Sequence, residues 1–232
     1  MTQRTITGVG AVIVAAGRSE RMDGIVKPWA PLTDAGGHTR PLLAYPLAAF
    51  QSCAAIDRIV LVAAADAIER AQALVREEGF GKVCAIVAGG ARRQDSVRAG
   101  LDALGACDWV AVHDGARPLV TPDLIERGLE AARETGAACC AIPAPDTVKE
   151  ADGGRILRTL DRSRLWLAQT PQVFRYDLLM DAHRRGEADV TDDAQLVESL
   201  GGGVRLYQGS ARNLKVTTPD DLALVQALLQ AS

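Results

Sequence analysis

The sequence lacks most of the features that assign a protein to a specialised class. Its longest apolar stretches, around residues 9–16 and 59–65, are far below the roughly 20 residues needed to span a bilayer, so no membrane partner is expected. Charge of one sign is also lacking, because 26 basic and 29 acidic side chains leave a formal net charge of −3. The chain therefore has no electrostatic reason to bind nucleic acid, and an anionic ligand must meet a local cluster of Lys and Arg.

Disulfide and metal-binding patterns are absent as well. The cysteines are five, an odd number, and no two of them have the C-x-x-C spacing, so we interpret them as small buried apolar residues. The three histidines are too scattered along the chain to indicate a zinc site. The first residues run straight into a strand-like segment without the hydrophobic region of a signal peptide, and we therefore expect a cytoplasmic protein.

What the sequence does contain is a regular alternation of strand and helix patterns over its first 140 residues. Strands are predicted at 8–14, 58–62, 83–87, 109–112 and 137–142, and helices at 42–50, 67–78, 92–104 and from 121 onward. This alternation predicts an α/β fold with a doubly wound, mostly parallel, Rossmann-like sheet. Such sheets bind ligands at the carboxyl ends of their strands, which here are the loops after Val14, Val87 and Val112.

The alternation stops at Pro143. The residues that follow predict a hairpin whose turn is Asp152-Gly153, and because an isolated hairpin is marginal in water, a partner subunit is one candidate surface for it to pack on. Farther along, helices are predicted from about 176, 191 and 218, with a strand at 204–208. No repeat or shift in composition marks a linker, so residues 1–232 are predicted to form a single domain with a protruding β-arm at about 143–160.

The loop after the first strand has the parts of a phosphate clamp. It reads Ala15-Ala-Gly-Arg-Ser-Glu-Arg-Met22 and is followed by Lys27, with neither a Walker A sequence nor G-x-G-x-x-G. Small residues let the backbone approach a ligand, and Arg18, Arg21 and Lys27 supply positive charge. The alternative is a set of solvated surface cations beside a turn, but the position at the end of the first strand favours a function.

Two further loops carry polar residues at strand ends. Gly89-Gly-Ala-Arg-Arg-Gln-Asp-Ser96 could let a base or ribose lie on its glycines with a hydrogen bond to Asp95 or Ser96, although a simple turn and helix start is equally consistent with it. In His113-Asp-Gly-Ala-Arg-Pro118, Asp114 is well placed to hold Mg²⁺ against the phosphates of a nucleoside triphosphate, and Arg117 could pair with a phosphate. The alternative for Asp114 is a capping role in a tight turn.

Taken in order, the motifs resemble those of a known family. The set Ala-Ala-Gly-x-x-x-Arg-Met…Lys, Gly-Gly…Asp-Ser-Val, His-Asp-x-Ala-Arg-Pro, Asp-Thr-Val-Lys, Asp-Arg…Trp…Gln-Thr-Pro-Gln, Thr-Asp-Asp-Ala and Asn-x-Lys-Val-Thr is similar to that of the 2-C-methyl-D-erythritol 4-phosphate cytidylyltransferases of the non-mevalonate isoprenoid pathway. The similarity runs from about residue 9 to 230. This chain departs from the family in the first loop, where Ser19 stands at a usual glycine and Pro28 follows Lys27.

The resemblance implies a Rossmann-like nucleotidyltransferase that moves the cytidylyl group of CTP to methylerythritol phosphate, with Mg²⁺ as cofactor, in a homodimer whose arm helps to form the partner's acceptor site. It implies that Arg21 and Lys27 stabilise charge on the triphosphate, and that Arg162 and Lys215 position the acceptor. The nucleotide-binding residues that it implies are Ala15, Ala16, Gly17, Gly90 and Ser96, the substrate-binding residues are Arg117, Thr147 and Thr170, and the metal ligand is Asp114.

Two other functions stay open on the sequence. One is a cytidylyltransferase for another polyol phosphate, such as ribitol 5-phosphate, and the other is a non-catalytic nucleotide-binding regulator. The regulator would need neither Lys27 nor the acceptor cations Arg162 and Lys215. The phosphate oxygen of an acceptor is already an anion at pH 7, so a site rich in Lys and Arg can perform the transfer without a general base.

Overall fold

The computed structural model of the chain describes residues 8–17, 24, 26–186 and 190–231. Its strands are β1 (Val9–Ala15), β2 (Pro31–Thr33), β3 (Thr39–Pro41), β4 (Arg58–Ala63), β5 (Val83–Ala88), β6 (Trp109–Asp114), β7 (Ala137–Pro143), β8 (Lys149–Asp152), β9 (Arg155–Thr159), β10 (Trp166–Arg175) and β11 (Arg205–Gln208). Its α-helices are α1 (Ala44–Ser52), α2 (Ile68–Glu77), α3 (Arg93–Leu104), α4 (Pro122–Thr135), α5 (Tyr176–Arg185), α6 (Asp193–Ser199) and α7 (Pro219–Gln230). The predicted strands and helices are confirmed to within a few residues.

The central sheet has seven strands in the order β11-β7-β10-β6-β1-β4-β5. β1 runs parallel to β4 and β6, β4 parallel to β5, and β7 parallel to β11. β10 is antiparallel to both of its neighbours, β6 and β7. The doubly wound, mostly parallel sheet is therefore confirmed.

Helices cover both faces of this sheet. Successive residues of β1 point to opposite faces, so that Ile13 packs in one core layer with Phe50 of α1, whereas Val12 packs in the other with Leu101 of α3. α2 and α4 complete the first layer, and α5 and α6 the second. Burial on both faces explains why β1, β4 and β6 are nearly continuous apolar runs in the sequence.

Two hairpins lie outside the sheet. The short pair β2–β3 was not predicted, whereas β8–β9 is the predicted arm. Every residue of β8 and β9 is exposed, and the turn between them is made by Gly153 and Gly154, both at positive φ. Ile156 and Leu157 are 60% and 59% exposed, so the arm does not pack on the described part of its own chain. No helix among the described residues has the length and apolar character of a membrane span.

Candidate active site

Three loops at the carboxyl edge of the sheet meet around one pocket of about 640 Å³. They follow β1, β5 and β6, and they are the loops in which the sequence predicted a ligand site. The close approach of the first two loops depends on Gly89, where a Cβ would lie 2.3 Å from that of Ala16. Of the residues predicted to form the site, those that line the pocket are Ala15, Ala16, Gly17, Lys27, Gly90, Ser96, Asp114 and Lys215.

Lys27 enters the pocket from a single 3-10 turn, Lys27–Trp29. The carbonyl of Pro28 accepts a hydrogen bond from Leu43 N at 3.0 Å, which ties this turn to the start of α1. The Trp29 indole lies beneath the Arg70 guanidinium of α2, 4.4 Å from the ring centroid. The turn that carries Lys27 is therefore held from two sides. Arg21 and Ser19 lie outside the described residues.

Asp114 ends β6 and is the charged centre of the pocket. Its Oδ1 accepts from Arg93 Nε at 3.1 Å, and its Oδ2 lies 2.7 Å from Lys215 Nζ. Burial alone would raise the pKa of this carboxyl, but Arg93 and Lys215 outweigh burial and hold the pKa well below its usual range. Asp114 is thus an anion held between two cations.

The backbone of Asp114 is fixed by buried polar groups behind the pocket. Its N–H donates to Thr170 Oγ1 at 3.0 Å, and Thr170 Oγ1 lies 3.1 Å from His113 Nδ1. His113 Nε2 lies 3.1 Å from the Arg117 carbonyl, which can only accept, so Nε2 carries the proton and Nδ1 accepts from the Thr170 hydroxyl. Complete burial lowers the pKa of His113 to about 4, and the ring is neutral at pH 7.

Arg117 lies behind the pocket rather than on its lining. Its Nη1 donates to the Asn213 carbonyl at 2.7 Å and its Nη2 to the Ala168 carbonyl at 3.4 Å. Burial lowers the pKa of this guanidinium. Arg117 and Thr170 therefore make hydrogen bonds to other groups of this chain. Their predicted contact with a substrate stays a prediction.

Thr147 and Arg162 do not line the pocket and lie on exposed segments at the base of the arm. Arg162 follows β9 and donates from Nη1 to the Pro145 carbonyl at 2.7 Å, which links the two segments. Within one chain, the predicted acceptor residues are thus divided between the pocket, which holds Lys215, and the arm.

The model of the 2-C-methyl-D-erythritol 4-phosphate cytidylyltransferase (IspD) family matches residues 9–231. The chain belongs to this family. It is 51% identical over 223 residues to the enzyme of that name from Dehalococcoides mccartyi strain CBDB1, with 96% of each protein covered. A crystal structure of the 4-diphosphocytidyl-2C-methyl-D-erythritol synthase of Anaerococcus prevotii matches with a TM-score of 0.82 and 29% identity, over 97% of this chain and 96% of that one. The cytidylyltransferase from Thermus thermophilus matches with a TM-score of 0.75 and 36% identity, over 94% and 96% of the two chains.

Arg93 is a pocket residue of this cytidylyltransferase that the sequence analysis quoted but did not assign. Besides Asp114, it binds Asp193 Oδ2 through Nη1 at 2.7 Å, and Asp193 in turn lies 3.3 Å from His183 Nε2. Asp95, a candidate for binding ribose, instead accepts from Arg92 N at 3.1 Å as part of the capping box of α3. The signal available in the sequence was the pair Arg92-Arg93 at the start of the helix after β5, and it does not tell which of the two reaches the pocket acid.

Proposed function

We propose that this chain transfers the cytidylyl group of CTP to 2-C-methyl-D-erythritol 4-phosphate, with release of pyrophosphate. A phosphate oxygen of the acceptor attacks the α-phosphorus of CTP as the bond from that phosphorus to the bridging oxygen of pyrophosphate breaks. The observation that carries the proposal is the pocket in which Lys27, Lys215 and Asp114 lie beside the small residues of the sheet-end loops. These residues supply positioning and neutralisation of charge, and no general base is required.

The roles divide by position. The small residues after β1 and β5 let the cytidine approach the backbone, with Lys27 and Arg21 stabilising the charge that develops on the triphosphate. The Ser96 hydroxyl fixes this backbone, because it accepts from Gly90 N at 3.1 Å. Lys215, together with Arg162, positions the acceptor phosphate. The nucleotide residues of this proposal are Ala15, Ala16, Gly17, Gly90 and Ser96.

Mg²⁺ is the proposed cofactor, and the residues present fit it in one specific way. No group of three His, Cys, Asp or Glu in the described ranges could hold a metal ion without help, and Asp114 is the sole acid among those described residues that line the pocket. Mg²⁺ is commonly bound through one or two carboxylates with substrate phosphates and water, which matches this donor set. When bound, the ion would neutralise charge on the triphosphate, and Asp114 would hold it. We expect the nucleotide-free chain to bind Mg²⁺ only weakly, and Asp114→Asn to lose activity and Mg²⁺ dependence together.

We propose that the chain acts as one domain, residues 1–232, in a cytoplasmic homodimer whose arm at about 143–160 completes the acceptor site of the partner. Thr147 and Arg162 are exposed and are not among the residues that line the pocket of their own chain. Four apolar side chains on and beside the arm are also exposed, namely Ile156, Leu157, Trp166 and Leu167. Exposed apolar side chains next to polar acceptor residues are what an arm docked on a second copy would require.

The direct test is pyrophosphate release from CTP and Mg²⁺ in three parallel reactions, with methylerythritol phosphate, with ribitol 5-phosphate and with no acceptor. We expect release only with methylerythritol phosphate. Preference for ribitol 5-phosphate would replace the acceptor in the proposal. Tight CTP binding without release under any of the three conditions would favour the non-catalytic regulator.

A further inference from the structure

Lys215 reaches the pocket from a segment without helix or strand. This segment, residues 209–217, lies between β11 and α7. The Lys215 side chain is 42% exposed, and its ammonium group lies 2.7 Å from Asp114 Oδ2. A flexible lysine side chain samples many positions unless the backbone that carries it is fixed. What fixes this segment therefore decides where the charge of Lys215 lies.

The backbone on both sides of Lys215 is held by hydrogen bonds to the sheet and its loops. Asn213 is fully buried, and its Nδ2 donates to the Thr170 carbonyl of β10 at 2.8 Å. Val216 N donates to the Ala116 carbonyl, in the loop after β6, at 2.8 Å. The Asn213 amide oxygen is buried and has no hydrogen-bond partner among the described residues. The side chain of Asn213 therefore holds the segment through its Nδ2 donor and not through its oxygen.

Hydrogen bonds that include Asn213 and Thr170 also hold the backbone of Asp114. Arg117 donates to the Asn213 carbonyl, and the carbonyl of Arg117 accepts from His113. His113 in turn accepts from the Thr170 hydroxyl, which receives the Asp114 N–H. His113, Arg117, Asn213 and Thr170 thus form a closed ring of buried hydrogen bonds, which we call the brace. None of these four residues lines the pocket.

We propose that the brace sets the position of Lys215 relative to Asp114, and that Asn213 is a positioning residue for the acceptor phosphate that acts through Lys215. The inference rests on the proposed function and adds to it a residue without contact to the pocket. Asn213 joins segment 209–217 to β10 through its side-chain donor, two residues before the lysine. Loss of this donor leaves the Thr170 carbonyl unpaired in the interior and frees the segment at that point.

The test is a double-mutant cycle of Asn213→Ala and Lys215→Ala. Asn213→Ala should lower kcat/KM for methylerythritol phosphate by about tenfold, because small misplacements of a positioning group are costly. The Kd of CTP should change less than twofold, since no hydrogen bond among the described residues joins the proposed nucleotide residues to the brace. In the Lys215→Ala background, Asn213→Ala should cause no further loss, because its effect passes through the lysine.

Arg212→Ala is the matched control in the same segment. Arg212 is exposed and donates from Nη2 to the Leu228 carbonyl of α7, so its loss removes a bond from the segment to α7, keeps the hydrogen bonds of the brace, and should leave acceptor kcat/KM unchanged. Asn213→Ser, which keeps a shorter donor, should fall between wild type and Asn213→Ala, and it replaces the alanine variant if that one does not fold. Additive losses in the cycle, or an equal loss in CTP affinity, would overturn the proposal.

A second measurement separates this proposal from the function itself. Hydrogen exchange of the peptide covering residues 209–217 depends on the brace and not on the reaction. Exchange should be faster in Asn213→Ser than in Arg212→Ala. If wild type released no pyrophosphate, the proposed function would fail. The difference in hydrogen exchange between Asn213→Ser and Arg212→Ala would still decide whether Asn213 fixes the segment. Equal exchange in the two variants would contradict the brace.

Discussion

The pocket and the arm carry the two halves of the predicted site in opposite physical settings. In the pocket, Asp114 is 8% exposed and each of its carboxylate oxygens is paired with a cation. At the arm, Thr147 and Arg162 are exposed, and Ile156 and Leu157 have more than half of their surface in solvent. The charged groups of the pocket are thus preorganised within one chain, whereas the side chains of the arm are left in solvent.

The difference also determines what an ion pair contributes in each region. Burial alone would lower the pKa of Arg93, but Asp193 and Asp114 raise it, so this guanidinium stays charged inside the fold. Breaking such a buried pair typically costs about 3–5 kcal/mol, whereas an exposed pair contributes about 0–1 kcal/mol. The charges of the pocket are therefore part of its architecture. Those of the arm, such as the exposed Arg158 and Glu150 pair, are available to a partner at little cost.

The largest effect is expected from Lys27→Ala. Removal of one preorganised charge from the developing negative charge of the triphosphate should lower kcat by about 10²-fold or more. The measurement is steady-state pyrophosphate release at saturating CTP and acceptor. Arg76→Ala removes a cation from the exposed face of α2 and should retain wild-type turnover. Near-normal turnover of Lys27→Ala would show that the charge is stabilised elsewhere.

Because the buried His113 is neutral, the stability of the fold should decrease in acid. Its pKa in the fold is about 4, below the ordinary 6.5, so between these values the unfolded chain takes up a proton that the native chain does not. The stability that it contributes is full above pH 6.5 and is lost as the pH falls toward 4, by on the order of 3 kcal/mol. Urea unfolding of wild type and His113→Gln at several pH values should show a flatter dependence for the variant. The exposed His38→Gln serves as the control, and parallel curves for wild type and His113→Gln would contradict this account.

The assignment of the arm to the partner's site can be tested by mixing inactive variants. If Thr147 acts in trans, random exchange between Lys27→Ala and Thr147→Ala subunits should restore about a quarter of the wild-type activity, because half of the dimers then contain one intact site. Mixing Lys27→Ala with Asp114→Asn should restore nothing, since both residues lie in the pocket of one chain. Equal results from the two mixtures, with exchange verified by mass spectrometry, would place Thr147 in cis.

The sequence predicted those parts of the fold that depend on local pattern. The apolar runs of β1, β4 and β6 and the Thr121 cap of α4 were sufficient to locate a parallel sheet and the loops that form the pocket. β10 was not predicted, because Pro171 interrupts its pattern; in the structure this proline falls within the irregularity between Ala168 and Gln172. Arg93 and Asp193 lie 100 residues apart, and only the tertiary fold brings the first residues of α3 and α6 together. Contacts of this kind leave no trace in local periodicity.

The smallest effect is expected where the arm meets solvent. Because Ile156 and Leu157 are 60% and 59% exposed, Ile156→Ser and Leu157→Ser should each change the free energy of unfolding of the dissociated chain by less than about 0.5 kcal/mol. The same changes should weaken the dimer, which sedimentation over a range of concentrations would measure. Leu101→Ala in α3 is the contrasting control and should cost about 2–5 kcal/mol, because that side chain is fully buried. If Leu157→Ser destabilised the dissociated chain as much as Leu101→Ala, the arm would have to pack on its own chain in solution, and its residues would then be available to the pocket of that chain rather than to the partner's.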